Sequence, residues 1–432
     1  MSKRLPILFV VLAVIAAFAG AGANAAPAPQ GDYIVVLKDS VADPGAVAAQ
    51  HAKAFGGQVG HVYRHALKGY AATLSPDRLE LLRANPLVAY VADDMSVSIA
   101  SKPIPSTQTL PTGIDRADGD LSSARSGDGK GSVDADIAVL DTGIDADHPD
   151  LNVVGGINCA EGKSFDDVQG HGTHVAGTAA AIDNGFGVVG VAPGARLWAV
   201  RVLNDKGSGN QSKLLCGIDW VTSTRTDSDR NNDIEVANLS LSASGADDGN
   251  CGLSNKDAVH LAICNSVAAG VTYVVAAGNS SRDASLTVPA AYDEVLTVSA
   301  LTDFDGESGG SGIPSPDCMT HLGDYITLFA DDAFAFFANF GPDVDLIAPG
   351  VCILSTLPPD TKGGDPSGYG LISGTSQAAP HVAGAAALWI AAHPGASPAQ
   401  VKAALIAAGR LDWNNSDDPD GIKEPLVNVG GF

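Results

Sequence analysis

Two short apolar runs in this chain stop on a polar side chain, and two runs of small residues begin with one. Asp136-Ile-Ala-Val-Leu-Asp141 and Val274-Val-Ala-Ala-Gly-Asn279 are too short for helices and are uninterrupted by polar residues until their ends, the reading of a strand buried on both faces. His171-Gly-Thr-His-Val-Ala-Gly177 leads into a helical run, Val175–Ala181. Gly374-Thr-Ser-Gln-Ala-Ala-Pro-His-Val-Ala-Gly384 leads into a second that reaches Leu388-Trp389-Ile390. Both runs are rich in Ala and Gly, so each helix is expected to pack closely. Ser376 stands at the start of the second, and Pro380 is read as falling early enough for its missing N–H to matter little. Strand ends and helix starts of an α/β domain meet at one edge of the sheet, so Asp141, His171, Asn279 and Ser376 are expected to share one site.

The four side chains form a chemical set. A serine hydroxyl is a poor nucleophile until an imidazole takes its proton and a carboxylate fixes the imidazole's tautomer. Acyl transfer also places negative charge on a carbonyl oxygen, and the Asn279 amide with the Ser376 backbone N–H supplies donors for it; such a donor is worth about 3 kcal/mol in the transition state. Competing readings lack their partners. Asp-Thr-Gly also marks aspartic proteases, but no second equivalent motif is present, and His171-x-x-His174 lacks two further metal ligands at supporting spacing. An esterase or lipase on an α/β-hydrolase scaffold expects Gly-x-Ser-x-Gly with acid and histidine after the serine, whereas here both partners precede Ser376. A silent fold used for binding would have lost one of the four side chains, and all are present. His174 and His381 lie inside apolar runs and read as core histidines.

On these motifs, in the order Asp141, His171, Asn279, Ser376, the chain resembles the subtilisin-type (subtilase) serine endopeptidases, near their proteinase K-like branch. The resemblance extends from Gly31 to about Ala408. It implies a seven-stranded parallel sheet with helices on both faces. It also implies that Asp141 orients His171, that His171 acts as base and then acid, that Ser376 is the nucleophile, and that Asn279 belongs to the oxyanion hole. Ser240, Leu241, Ser242, Ala276, Ala277 and Gly278 would line the substrate pocket. Gln377 departs from the family's usual Met, and Ser242 from a common Gly. The resemblance implies protein or peptide substrates, no cofactor for the chemistry, structural calcium, and a monomer.

The N-terminus reads as an export signal: Lys3 and Arg4, an apolar stretch Leu5–Ala19, and the small-x-small site Ala23-Asn-Ala25. A secreted, extracellular product with no stable membrane partner follows. Residues 26–100 form an expected small domain with the element order βαββαβ: strands at Asp32–Leu37, within His61–Leu74 about a Gly69 turn, and at Val88–Val91, with helices at Pro44–Phe55 and Pro76–Ala84. It resembles the family's inhibitory, ferredoxin-like pro-domain. Residues 101–112 read as an accessible linker, with the processing bond placed by resemblance between Ser98 and Gln108, and residues 113–432 as the catalytic domain.

Six cysteines, Cys159, Cys216, Cys251, Cys264, Cys318 and Cys352, all follow that linker, and their fifteen pairings stay open. The chain has a net charge of −24, and beyond residue 100 there are 17 basic and 42 acidic groups. That balance disfavours nucleic acid and anionic membranes, and an acidic cleft would favour basic substrates. Gly113–Gly131 and Thr224–Asp233 read as surface loops and Thr302–Tyr325 as an insertion. Asp227, Asp229 and Asp233 are oxygen donors suited to calcium. The helix Pro398–Ala408 is expected to close the core, with the tail after Trp413 lying over the surface.

Overall fold

The structure is a computed structural model that describes residues 31–64, 67–94, 107–359 and 366–432. The expected signal segment, residues 1–25, lies outside them, as does most of the expected processing region. The chain divides into two compact units, Met1–Ser101 and Lys102–Phe432.

In the first unit four antiparallel strands lie in the order Gln58–Tyr63, Gly69–Leu74, Gly31–Leu37, Val88–Asp93. Two helices, Pro44–Phe55 and Pro76–Arg83, interrupt them in the chain order βαββαβ. Each helix starts on a proline, whose missing N–H is one that no first turn uses. Asp43 caps the first, accepting from Gly45 N at 2.9 Å. Val35, Leu37, Tyr70, Leu74 and Leu82 form the core. Gly69 opens a strand where the sequence reading placed a turn.

The second unit is built on an eight-stranded sheet. Seven strands run parallel, in the spatial order Leu346–Pro349, Leu296–Thr302, Thr272–Ala276, Val236–Leu239, Asp136–Asp141, Arg196–Arg201, Val153–Asn158. The two-residue strand Ala333–Phe334 adds to Leu296–Thr302 antiparallel and makes the sheet mixed. Alternation along Asp136–Asp141 shows why its sequence is apolar throughout: Ile137 and Val139 enter one core, Ala138 and Leu140 the other. The helices His171–Ala180 and Thr375–Ala392 fill the first core; Gln211–Thr226 and Ala258–Ala268 fill the second. Small residues let the first pair approach closely. A Cβ on Gly384 would sit 2.8 Å from the Ala179 carbonyl oxygen and 2.7 Å from Val191.

Several loop readings are corrected. The stretch from Gly113 contains a helix, Thr112–Arg116, and Arg116 is fully buried, its guanidinium 2.8 Å from Asp332. Thr224 is buried in the last turns of the Gln211–Thr226 helix. The Thr302–Tyr325 segment carries a helix, Pro316–Leu322, whose Cys318 bonds to Cys352. The tail lies over the surface only in its first part, where most of residues 414–423 are exposed; beyond it Leu426, Val427 and Val429 are buried, and Val427 N donates to Ile347 O on the sheet edge. Apolar residues in Leu426–Val429 pay no cost there, because that edge strand offers them both backbone partners and a core. The other disulfides are Cys159–Cys216 and Cys251–Cys264, and no described cysteine is free.

Candidate active site

The site lies at the carboxyl ends of the parallel strands, where the strand order reverses on either side of Asp136–Asp141. Asp141 is the last residue of that strand and is wholly buried. Its Oδ1 and Oδ2 lie 2.8 and 2.9 Å from His171 Nδ1, and Oδ1 also accepts from Thr142 N at 2.7 Å. A carboxylate so placed can only accept, so Nδ1 carries the proton and Nε2 is left as the basic nitrogen. His171 is the first residue of its helix rather than a residue ahead of it.

Burial alone would lower the proton affinity of His171. The Asp141 charge, its hydrogen bond and the charge of Asp167 together outweigh that effect, and the pKa is raised above 6.5. Asp167 has a structural part as well. It is buried and accepts from the backbone N–H groups of Gln169, Gly170 and Thr173 and from the Thr173 hydroxyl. These donors gather at the start of the His171 helix, where an acid is favoured by the helix dipole.

Ser376 is the second residue of the Thr375–Ala392 helix. Its hydroxyl donates to Ser240 O at 3.3 Å, while the Ser240 hydroxyl donates back to Ser376 O at 2.8 Å. Pro380 explains the second bond. It lies inside the helix, past the first turn, and its missing N–H is the one that would have met the Ser376 carbonyl. The proline therefore does matter: it frees that carbonyl for Ser240, which Asn238 Nδ2 orients at 2.9 Å.

Asn279 is exposed and held by one end. Its Oδ1 accepts from Thr375 N at 2.9 Å and from the Thr375 hydroxyl at 2.8 Å, and Gly278 N donates to that hydroxyl at 3.1 Å. Because a backbone N–H can only donate, the oxygen of the amide must face Thr375, which leaves the NH2 as the outward donor. Gly374 keeps this corner open, since a Cβ there would stand 3.3 Å from Asn279 Nδ2.

A cleft of about 790 Å³ opens beside these groups, lined by His171, Ser240, Leu241 and Ser242 and walled by apolar side chains including Leu203 and Val288. Ala276 and Ala277 are instead buried with their methyl groups in core clusters, and Gly278 is engaged with Thr375. No Asp or Glu lines the cleft among the described residues, and Lys206 does. The expectation that the acidic surface would favour basic substrates there finds no support, because the carboxylates lie elsewhere.

Gln377 is buried with its amide nitrogen unpartnered. His174 and His381 are core histidines, as read from the sequence. His174 Nε2 donates to Ile353 O at 2.9 Å and His381 Nδ1 to Gln377 O at 2.9 Å. Burial holds them neutral, lowering their pKa values to about 3 and about 4. Asp227, Asp229 and Asp233 do not gather around one point: Asp233 pairs with Arg225 and Arg230, and the other two accept hydrogen bonds within their own turn. Sequence reasoning missed Asp167, Thr375 and Ser240's hydroxyl as supports. Only Asp167 carried a local signal, an acid three residues before Gly170 and the helix start at His171.

Comparison with known proteins assigns the chain a family. The Subtilase family profile matches residues 133–422, and the Peptidase inhibitor I9 profile matches residues 32–100. Subtilisin DY of Bacillus licheniformis is 36% identical over 326 residues, covering 74% of this chain and 98% of its own. An alkaline protease of Shouchella clausii is 36% identical over 330 residues, 76% of this chain and 70% of its own. The crystal structure of a cold adapted subtilisin-like serine proteinase aligns with a TM-score of 0.53 at 29% identity, covering 74% of this chain and 97% of that one. No helix among the described residues is long and apolar enough to cross a membrane. On the profile match over residues 133–422 and the identity to these relatives, the chain belongs to the subtilase family and is a secreted serine endopeptidase of the subtilisin type.

Proposed function

We propose that Ser376 attacks the scissile carbonyl of a peptide, with His171 Nε2 taking its proton and later returning it to the leaving amine. Asp141 holds the imidazole tautomer and stabilises the imidazolium. The observation that carries this reading is the double contact of His171 Nδ1 with both oxygens of the buried Asp141, which leaves Nε2 as the base. Ser376 Oγ must turn from the Ser240 carbonyl toward Nε2 when substrate binds, a tightening common in sites of this chemistry. The Asn279 NH2 and the Ser376 N–H then meet the oxyanion, each such donor contributing about 3 kcal/mol. Leu241 and Ser242 line the cleft beside them, so the substrate's chain is expected to run along that wall.

The domain reading is a signal at residues 1–25, a pro-domain at 26–100, a linker at 101–112 and a catalytic domain at 113–432. The four-stranded antiparallel unit with its βαββαβ order supports a ferredoxin-like pro-domain, and the inhibitor profile over residues 32–100 supports its role. A covalently attached inhibitor has a high effective concentration for its own cleft, which keeps the precursor silent until it is cut. Structural calcium belongs to the same proposal, as a stabiliser outside the chemical step. Processing is the test. In a host without other processing proteases, the Ser376→Ala precursor should stay joined while wild type is cut between Ser98 and Gln108, as read by mass spectrometry. The same cut in both would overturn self-processing.

A further inference from the structure

Three acidic side chains converge in the C-terminal tail, away from the residues of the proposed chemistry. One carboxylate oxygen from each of Asp418, Asp420 and Glu424 lies within 4.8 Å of the other two. Asp418 is 8% exposed and Glu424 2%. Both oxygens of Asp418 and both of Glu424 are buried without a hydrogen-bond partner. The basic side chain nearest in sequence, Lys423, lies over the Trp413 ring, 5.5 Å from its centroid. Among the described residues no Lys, Arg or His is ion-paired to any of the three, whereas Asp412, ahead of the tail, pairs with Arg116 and Arg410.

Buried carboxylates are ordinarily paired, hydrogen-bonded or bound to a metal. The four oxygens of Asp418 and Glu424 meet neither of the first two conditions, and one from each of these residues faces the same small volume as an oxygen of Asp420. Calcium–oxygen distances of about 2.3–2.6 Å place two ligands of one ion at most about 5.2 Å apart, and the three oxygens fall inside that limit. All donors are hard oxygens, with no imidazole or thiolate among them, which suits calcium over zinc. Asp420 is exposed, so one side of the cluster is open to water for the remaining coordination positions.

We infer that Asp418, Asp420 and Glu424 form a divalent-cation site of the calcium class. The site would fasten the end of the chain to the sheet. The carbonyl of Glu424 accepts from Trp413 Nε1 at 2.8 Å, and the next residue, Pro425, accepts from Ile347 N at 3.0 Å on the edge strand. That strand runs into Gly350, whose carbonyl accepts from Gly374 N at 2.7 Å, two residues before Ser376. The tail is thereby continuous with the wall of the active site.

The full chain carrying Ser376→Ala, which cannot digest itself, is stripped with EDTA and titrated with calcium by calorimetry. In that background Asp418→Asn with Glu424→Gln should bind one calcium fewer. Terbium emission excited through tryptophan should fall with it, since Trp413 adjoins the site. In EDTA the double variant should melt at or above its parent, because two like charges have been removed. At a hundredfold excess of calcium over Kd the parent should gain about 5 °C more than the double variant. Asp420→Asn, on an exposed residue, guards against misfolding and should weaken one class of calcium site at least tenfold. Equal stoichiometry and equal melting response in parent and variants would overturn the inference, as would a double variant that melts well below its parent in EDTA.

Discussion

Burial and charge contend most directly at His171, and there charge prevails: desolvation would lower its pKa, yet Asp141 and Asp167 raise it above 6.5. The basic form needed to accept the Ser376 proton is therefore reached only above that value. The acid limb of kcat/KM should have its midpoint above pH 6.5, with activity persisting on the alkaline side. Asp141→Asn removes the charge that raises the pKa, so the limb should move to lower pH while kcat falls by about 10⁴. Rate profiles of both mature enzymes check this, and a wild-type midpoint below 6.5, or one that Asp141→Asn does not move, would count against the account. The four chemical groups were legible because each ends or begins a run whose apolarity fixes its place. Their supports were not. Thr375 meets Asn279 across 96 residues and Ser240 meets Ser376 across 136, and hydrogen bonds over such separations leave no local pattern in a sequence.

Helices here are specified as much by smallness as by period. The run from Thr375 to Ala392 is buried along most of its length, so no polar stripe marks it, and Ala and Gly are what allow two helices to share one face of the sheet. Gly384→Ala should cost about 1–3 kcal/mol by overpacking, since the new methyl group has no room beside Ala179 and Val191. Denaturant melting of the inhibited enzyme gives the comparison, and an unchanged midpoint would show that the helices can separate without penalty. Pro380 shows the limit of propensity reading. Taken alone it is a helix defect to be excused by position; in the fold, the carbonyl it frees receives the Ser240 hydroxyl. The tail was misread at its end for a related reason. Its polar stretch Asn415–Asp418 suggested a surface segment, whereas the buried Leu426–Val429 stretch adds to an edge strand that sequence alone does not reveal as an edge.

At the scale of the whole molecule, runs such as Asp136–Asp141 were legible as strands buried on both faces, whereas the parallel sheet with helices on both sides was what the resemblance to subtilases implied. Disulfide pairing did not follow, because six cysteines allow fifteen arrangements. The bonds close separations of 57, 13 and 34 residues, and each is expected to stabilise by about 3–4 kcal/mol in the loop-entropy account. The acidic balance likewise gave net charge and not its location, so the lack of carboxylates in the cleft among the described residues emerged only from the fold. What unites the three scales is the assignment of Ser376 as the nucleophile, held by a helix start, a freed carbonyl and an aligned acid–base pair. A serine-directed phosphonyl reagent tests it on the mature enzyme, with peptide mapping of the label and turnover followed together. The account predicts one phosphonyl group per molecule, on Ser376, with peptide hydrolysis lost in proportion to labelling and nearly absent in a correctly folded Ser376→Ala protein. Labelling at another residue with Ser376 unmodified, or undiminished hydrolysis by Ser376→Ala, would contradict it.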